Sequence, residues 1–587
     1  MTAGHDHGTG AHSHAHGEHD HHHPEVELPE WADPQIPDTD LDPRGVARRN
    51  VLRGAGLLGA GALAWAAAGS TPAAAAVAAG ASSAGDDPRS YTYLAGDHHI
   101  HTQYSSDAMY RPHDQAFQAS RYGLDWIVIT DHGSVGHAKF GVEKVNPDIR
   151  AARAALKNLL VFQGLEWNIP SAEHATVIVA PGDNEVSVLK AFENGYDGVV
   201  NNATAASSPN ELLAIQGLQF LASKIGAADG VDDAVMLANH PARKGIDSPH
   251  EFRNWRDQGR GVAIGMEGAP GHQAAAMPDG NHAGSGRGEY ANTASANSFP
   301  GYTTANWELY RTWGGFDPYT AIVGGLWDSL LSEGKPWWIT ANSDSHKVLL
   351  DPFVNGALAP QAGGAPAASF NDSGAYLSAL EVARASAADA LSYADFFPGF
   401  YSRTHVGAAN FGYGSVLTGL RAGNVWVDHG QLLDDLQVRV STGVGRGVTL
   451  GGRLAVRKGT NVVLTVDVTP AQQQNNAGVR PQLATVDVIR GLVTGPVTDA
   501  DTFAAPNTRV VKSYDVSGRT GRVRLTLTLK GVTDSFYLRL RGSDGKRIGP
   551  GYNASQDPGG PKMDVIGSAD PWADLWFYSN PIFVDVR

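Results

Sequence analysis

His99 and His101 stand two residues apart in Asp97-His98-His99-Ile100-His101, and Asp107 follows six residues later. On an extended strand alternate residues share a face, so the two imidazoles project together and His98 points the other way, toward the exterior of any barrel the strand joins. Imidazole and carboxylate are ligands for zinc, manganese or iron. The same residue types recur down the chain in Asp131-His132-Gly133-Ser134, Glu166, His174, Asn239-His240-Pro241 and Asp344-Ser345-His346. Singly, each can cap a helix or sit as a satisfied core polar group. Together they form a donor set for a cluster of divalent ions. Such a cluster brings the pKa of water close to neutral and clamps the oxygens of an in-line displacement, so no protein nucleophile is required. Asp131 adjoins His132, where it either orients an imidazole or caps the next turn.

The elements that must hold these groups are legible around them. Residues 111–122 have helical spacing and end at Gly123, and residues 124–130 form a continuous β-rich run ending at Asp131. Such a run reads as a buried parallel strand. Further strands are expected at 158–164, leading to Glu166, at 174–180, starting at His174, at 234–238, before His240, and at 335–341, before Asp344. Acidic and histidine residues thus recur at strand ends, separated by helix-length segments, the layout of a (β/α) barrel with its ligands on one rim. Two connections, 181–209 and 269–302, lack periodicity and read as loops. The second lies between the strands of His240 and Asp344 and should rise over the rim as a lid.

In this order H-x-H, D, D-H, E, H, H-P, D-x-H the chain resembles the PHP (polymerase and histidinol phosphatase) family of metal-dependent phosphoesterases. The resemblance spans about residues 93–428. It implies an α/β fold, a distorted (β/α)7 barrel holding two or three divalent metals (Zn, Mn or Fe). It also implies that His99, His101, Glu166 and Asp344 hold one ion, that Glu166 bridges to a second held by His174 and His240, and that Asp107, His132 and His346 hold a third. Asp107 stands where some members have histidine, which makes the third site harder and more anionic. For the substrate, Arg243 follows His240-Pro241 closely, and Arg403 and His405 interrupt an otherwise apolar run. An arginine at either place would grip a phosphate oxygen bidentately or serve structure alone. His137, His250, His272 and His282 sit in loop-like contexts without a ligand partner.

At 587 residues the chain exceeds what one core holds, so several domains are expected. The net charge of −15 speaks against a nucleic-acid partner, and the absence of cysteine excludes disulfides and thiolate sites. Nine of the 23 histidines fall in residues 1–23, inside a disordered tail spanning 1–45. Arg48-Arg49 precede a Gly/Ala-rich apolar run at 54–68 and small residues at 73–76. This resembles a twin-arginine signal within 46–85, so the export machinery is an expected partner and an extracellular or cell-envelope location follows. Fifteen mildly apolar residues fall short of the ~20 that span a bilayer, so no stable membrane anchor is expected. The catalytic domain is expected over 90–430. From 431 to 587 period-two runs at 461–468, 522–529 and 535–541 read as an antiparallel β-sandwich. The function expected is hydrolysis of small phosphomonoesters or phosphodiesters. Hydrolysis of a carboxyl or carbamate ester or an amide on the same site is the rival reading, and a non-catalytic metal-binding surface protein is the third.

Overall fold

Seven strands curl around the candidate ligands: β1 (Thr92–Asp97), β2 (Trp126–Ile129), β3 (Leu160–Asn168), β4 (His174–Val179), β5 (Ala234–Ala238), β6 (Ala263–Ala269) and β7 (Trp338–Ala341). They belong to a computed structural model that describes residues 91–587 apart from 106, 109, 279–285, 289, 291–292, 350, 352, 356–381, 385–392, 444 and 566–569. The histidine-rich tail, the twin-arginine segment and His282 lie outside the described residues. β1, β2 and β3 pair in parallel, β4 is antiparallel to both neighbours, and β5, β6 and β7 are parallel again. The inverted β4 is the distortion of the barrel. At the rim a parallel bridge from Ile100 to Ser345 joins the segments that follow β1 and β7.

The strands are apolar because they are covered on both faces. Trp126, Phe162, Leu165, Val177, Met236 and Trp337 share one buried core. Gly96 makes a close approach possible there, since a Cβ would stand 2.0 Å from the Trp126 ring. Helices Pro112–Arg121, Val135–Ala155 and Ser208–Lys224 fall between strands; the periodicity predicts the first, and the other two occupy the helix-length segments between strand ends. The expected loop at 181–209 instead contains the helix Glu185–Tyr196, which buries Val188, Leu189 and Phe192 at one-turn spacing. β8 (Phe353–Asn355) and β9 (Val382–Arg384) form a separate antiparallel pair.

β10 (Ser402–Ala408) runs antiparallel to β1, and β11 (Val425–His429) antiparallel to β10. The Thr404 hydroxyl closes the gap to β7, accepting from the Ala341 amide at 2.8 Å and donating to its carbonyl at 2.6 Å. Beyond β11 come β12 (Leu433–Ser441), β13 (Arg453–Val456), β14 (Val462–Pro470), β15 (Thr485–Leu492), β16 (Arg509–Asp515), β17 (Val523–Leu529) and β18 (Phe536–Ser543). A short ribbon of β19 (Ile548–Gly549) and β20 (Gly560–Pro561) precedes β21 (Trp576–Ser579) and β22 (Ile582–Val586). The main sheet continues from β11 through β21, β18, β22 and β13, with β15 and β16 branching from β18. A separate sheet, β12-β14-β17, packs Val438, Leu464 and Leu525 against Val488, Leu538 and Ile582. This two-layered, β-rich C-terminal part is tied down by a buried ion pair, Arg539 Nη2 to Asp328 Oδ2 at 2.8 Å. No helix among the described residues is long and apolar enough to cross a membrane.

Candidate metal centre

Hydrogen bonds stitch the ligand-bearing segments together before any ligand is considered. Asp97, the last residue of β1, accepts from the amides of His99 (3.1 Å) and Ser343 (3.0 Å). The His101 amide donates to the Ser345 carbonyl at 3.1 Å. These bonds turn the chain after Asp97 out of strand geometry, which corrects the reading of His98. It does not face the exterior. Its ring is fully buried inside the barrel, 2.8 Å from Thr340 Oγ1 and 3.3 Å from Thr176 Oγ1. Burial there holds its pKa down to about 3.

His99 and His101 converge on Glu166 and Asp344. His99 Nε2 lies 3.0 Å from Asp344 Oδ1, 3.1 Å from Glu166 Oε1 and 3.0 Å from His101 Nε2. His101 Nε2 lies 3.1 Å from Asp344 Oδ1 and 3.4 Å from Glu166 Oε2. The other nitrogen of each ring is already committed. His99 Nδ1–H donates to Glu267 Oε1 at 2.7 Å. The Ser105 hydroxyl donates its only proton to Asp131 (2.8 Å), so it must accept from His101 Nδ1 at 2.9 Å. Both Nε2 atoms therefore present lone pairs to carboxylate oxygens. Asp344 Oδ1 and Glu166 Oε2 are buried without an aligned hydrogen-bond partner, although His132 Nδ1 stands 2.6 Å from the latter. A divalent cation fits this set, since tetrahedral bonds of about 2.0–2.1 Å place ligand atoms roughly 3.4 Å apart, close to the spacing here. Without one, burial disfavours an imidazolium at His99, but Asp344, Glu166 and Glu267 outweigh it and raise the pKa well above its ordinary value.

The remaining ligands extend the cluster on both sides. Glu166 Oε1 is 3.1 Å from His174 Nδ1 and 3.3 Å from His240 Nε2. His132 Nε2 is 3.2 Å from Asp107 Oδ2, and His346 Nε2 is 3.6 Å from Asp107 Oδ1. The four groupings able to hold an ion among the described residues contain all nine residues singled out in the sequence, with Glu173 in addition. His240 and Asp344 adopt positive φ, 29° and 45°, a strained backbone of the kind stored at functional sites.

Asp131 does orient an imidazole, but that of His101 through Ser105, while accepting from the Thr102 amide at 2.7 Å. Arg243 reaches the edge of the cluster, donating to Glu173 at 2.8 Å, with its Nε buried and unpartnered. Arg403 and His405 do not reach it. They flank Thr404 on β10, and as Thr404 faces β7, period-two alternation sends both to the opposite face. Arg403 donates to the carbonyls of Gly399 (3.0 Å) and Tyr122 (2.5 Å). His405 pairs with Asp428 at 2.9 Å and stacks on Trp426.

Several residues at the centre carried no motif. Glu267 interrupts the apolar strand β6, which was the one available signal; it also accepts the His240 amide at 2.5 Å. Asn239, beside His240, donates to Glu166 at 3.0 Å. His272 comes in from the loop after β6, with Nδ1 2.5 Å from Asp395 and Nε2 3.7 Å from Asp344. Gly271 permits this approach, since a Cβ would stand 2.2 Å from that of Asp344. From the same loop, the Tyr290 hydroxyl donates to Asp344 Oδ2 at 2.8 Å. Within 269–302, His272 and Tyr290 thus reach the rim at Asp344.

Residues 97–219 match the model of the PHP domain. No curated protein sequence matches the chain. Among solved structures the chain is similar to a two-domain protein from Bacteroides vulgatus ATCC 8482 containing a predicted PHP-like metal-dependent phosphoesterase. The identity is 14%, over 82% of this chain and 96% of that one, with a TM-score of 0.33. The fold rests on the strand order above.

Proposed function

We propose that the protein is a metal-dependent hydrolase acting on small phosphoesters. The observation that carries this reading is the convergence of His99, His101 and Glu166, all inside the segment matching the PHP domain, on Asp344 from the rim after β7, with unsatisfied lone pairs. In this reading His99, His101, Glu166 and Asp344 would hold one ion, Glu166, His174 and His240 a second, and Asp107, His132 and His346 a third. Bound divalent cations supply Lewis acidity and bring water to a near-neutral pKa. The chain's own groups do the positioning. Glu267 and Ser105 fix the tautomers of His99 and His101, and Tyr290 fixes the rotamer of Asp344. A cleft of about 510 Å³ opens on Asp107, His132 and His174, with Tyr104 and Asn168 beside them. This is the side from which substrate enters. Arg243, next to His240, is the cation placed to contact a non-bridging oxygen.

One observation favours the rival reading. The described lining of that cleft includes no lysine or arginine, and Arg403 is spent on backbone carbonyls. A phosphomonoester dianion needs positive charge beyond the ions, whereas a phosphodiester needs less and a neutral carboxyl ester none. A hydrolysis panel on metal-analysed protein separates them, using p-nitrophenyl phosphate, bis-p-nitrophenyl phosphate and p-nitrophenyl acetate. Phosphoester turnover above carboxyl-ester turnover is expected; the reverse order hands the site to the rival hydrolase. We also propose that the protein is exported by the twin-arginine route and works outside the cytoplasm. Replacing Arg48-Arg49 by lysines should block export, and unchanged secretion would refute that.

A further inference from the structure

The solvent face of the small C-terminal sheet carries a second cleft that shares no residue with the metal centre. Along β12, β14 and β17 alternate residues such as Val438, Leu464 and Leu525 are buried. Their neighbours Gln437, Arg439, Thr465, Asp467, Arg524 and Thr526 stand on the other face. Register sets these in rungs: Gln437 opposite Asp467 opposite Arg524, then Arg439 opposite Thr465 opposite Thr526. With Arg446 and Arg522 they line a cleft of about 770 Å³. Asp467 holds Arg522 and Arg524 side by side, at 2.6 Å and 2.7 Å. The two guanidinium side chains remain 62% and 64% exposed above it, while Asp467 is only 10% exposed. Arg439 donates one N–H to the Arg446 carbonyl at 3.2 Å. In a chain of net charge −15, four arginines against two aspartates in one cleft is a local excess of positive charge.

We propose that this cleft binds an acidic glycan. Guanidinium groups take carboxylate or sulfate oxygens two at a time. The hydroxyls of Thr465 and Thr526 and the Gln437 amide can donate to and accept from sugar hydroxyls, and the Asp435 carboxylate can accept from them. Acid groups and hydroxyls carried on the same ring match arginines standing beside hydroxyl and amide groups, which is what points to an acidic glycan.

The test uses the full chain in metal-loaded form, with polygalacturonate as the acidic probe, dextran as the neutral one and a single-stranded oligonucleotide as the phosphate-rich one. Polygalacturonate should bind, more weakly as salt rises, and dextran should not. Replacing Arg439 and Arg524 together by alanine should weaken binding on the order of tenfold, as expected for two exposed ion pairs. The melting temperature and turnover of a small ester should not change. If that double variant fails to fold, Arg446→Ala, in an exposed loop, replaces it. Absence of binding, equal binding of dextran, tighter binding of the oligonucleotide, or full binding by the folded variant would each overturn the proposal.

Discussion

Glu267→Gln is the substitution that most sharply probes how the centre is held. Glu267 touches no candidate ion. It accepts His99 Nδ1–H at 2.7 Å and the His240 amide at 2.5 Å, so one carboxylate sets the orientation of two ligands that follow different strands. A glutamine keeps the shape but has one acceptor oxygen, and its amide nitrogen must face either an imidazole N–H or a backbone N–H. One buried hydrogen bond to a charged acceptor is lost, about 1.5–3 kcal/mol. Changes to groups that orient metal ligands cost roughly 10–100-fold in metal affinity, about 1.4–2.7 kcal/mol, and the two estimates agree. Competition of the variant against a chelator for zinc gives the affinity, and the visible spectrum of the cobalt-loaded protein reports ligand geometry. Melting of the metal-free protein separates a lost ligand from a lost fold. Wild-type affinity and an unchanged spectrum in a folded variant would refute the role given to Glu267.

Asp131→Asn should lower activity ~10–100-fold through Ser105 and His101, measured as kcat/KM; an unchanged rate would make Asp131 a turn cap only. Arg243→Ala should cost one to two decades on a phosphomonoester, from a contact of ~1.5–3 kcal/mol, and less on a diester. Arg403→Ala should leave every rate unchanged and lower thermal stability. An equal loss across substrates at Arg243 would mark it as structural. In the metal-free protein His99, despite burial, is raised by Asp344, Glu166 and Glu267, and His132, despite burial, by Glu166 and Asp107. Burial pushes Asp317 up to about 8. All three bind protons more tightly folded than unfolded, so this stability is full at acidic pH and is lost as pH rises toward and past 8. The metal-free melting temperature should therefore fall from pH 6.5 to 9. Zinc uptake at pH 7 should release protons, seen by calorimetry in buffers of different ionisation enthalpy. A rising melting temperature over that range would contradict the assignment.

How far the sequence carried is clear from particular residues. Asp344-x-His346 and His240-Pro241 follow all-buried strands, so their location on one rim was legible from hydrophobic runs and the polar residues that end them. Burial of Glu166 inside β3 rather than past its end changed nothing, because β4 folds back beside it. Period two failed at His98, where the strand has already ended and Asp97 turns the chain. At Arg403 and His405 the period held, but nothing local says which face of β10 looks inward; Thr404, bonded to β7, decides it. Glu267, His272 and Asp395 lie far apart in sequence from the histidines and aspartate they serve. Those pairings exist only once β6 and its following loop are packed against β7. The main sheet running from β11 into β21 was likewise hidden, because it joins residues some 150 positions apart.

The central property to test is whether the convergent lone pairs hold ions. Elemental analysis of the purified protein, after reconstitution with zinc, manganese or iron and removal of loosely bound metal, measures this directly. His99, His101, Asp107, His132, Glu166, His174, His240, Asp344 and His346 should hold two or three divalent ions per chain. Glu166→Gln, which removes the carboxylate proposed to serve two ions, should lower that number. Less than one ion per chain under all three metals, in protein shown to be folded, would contradict it.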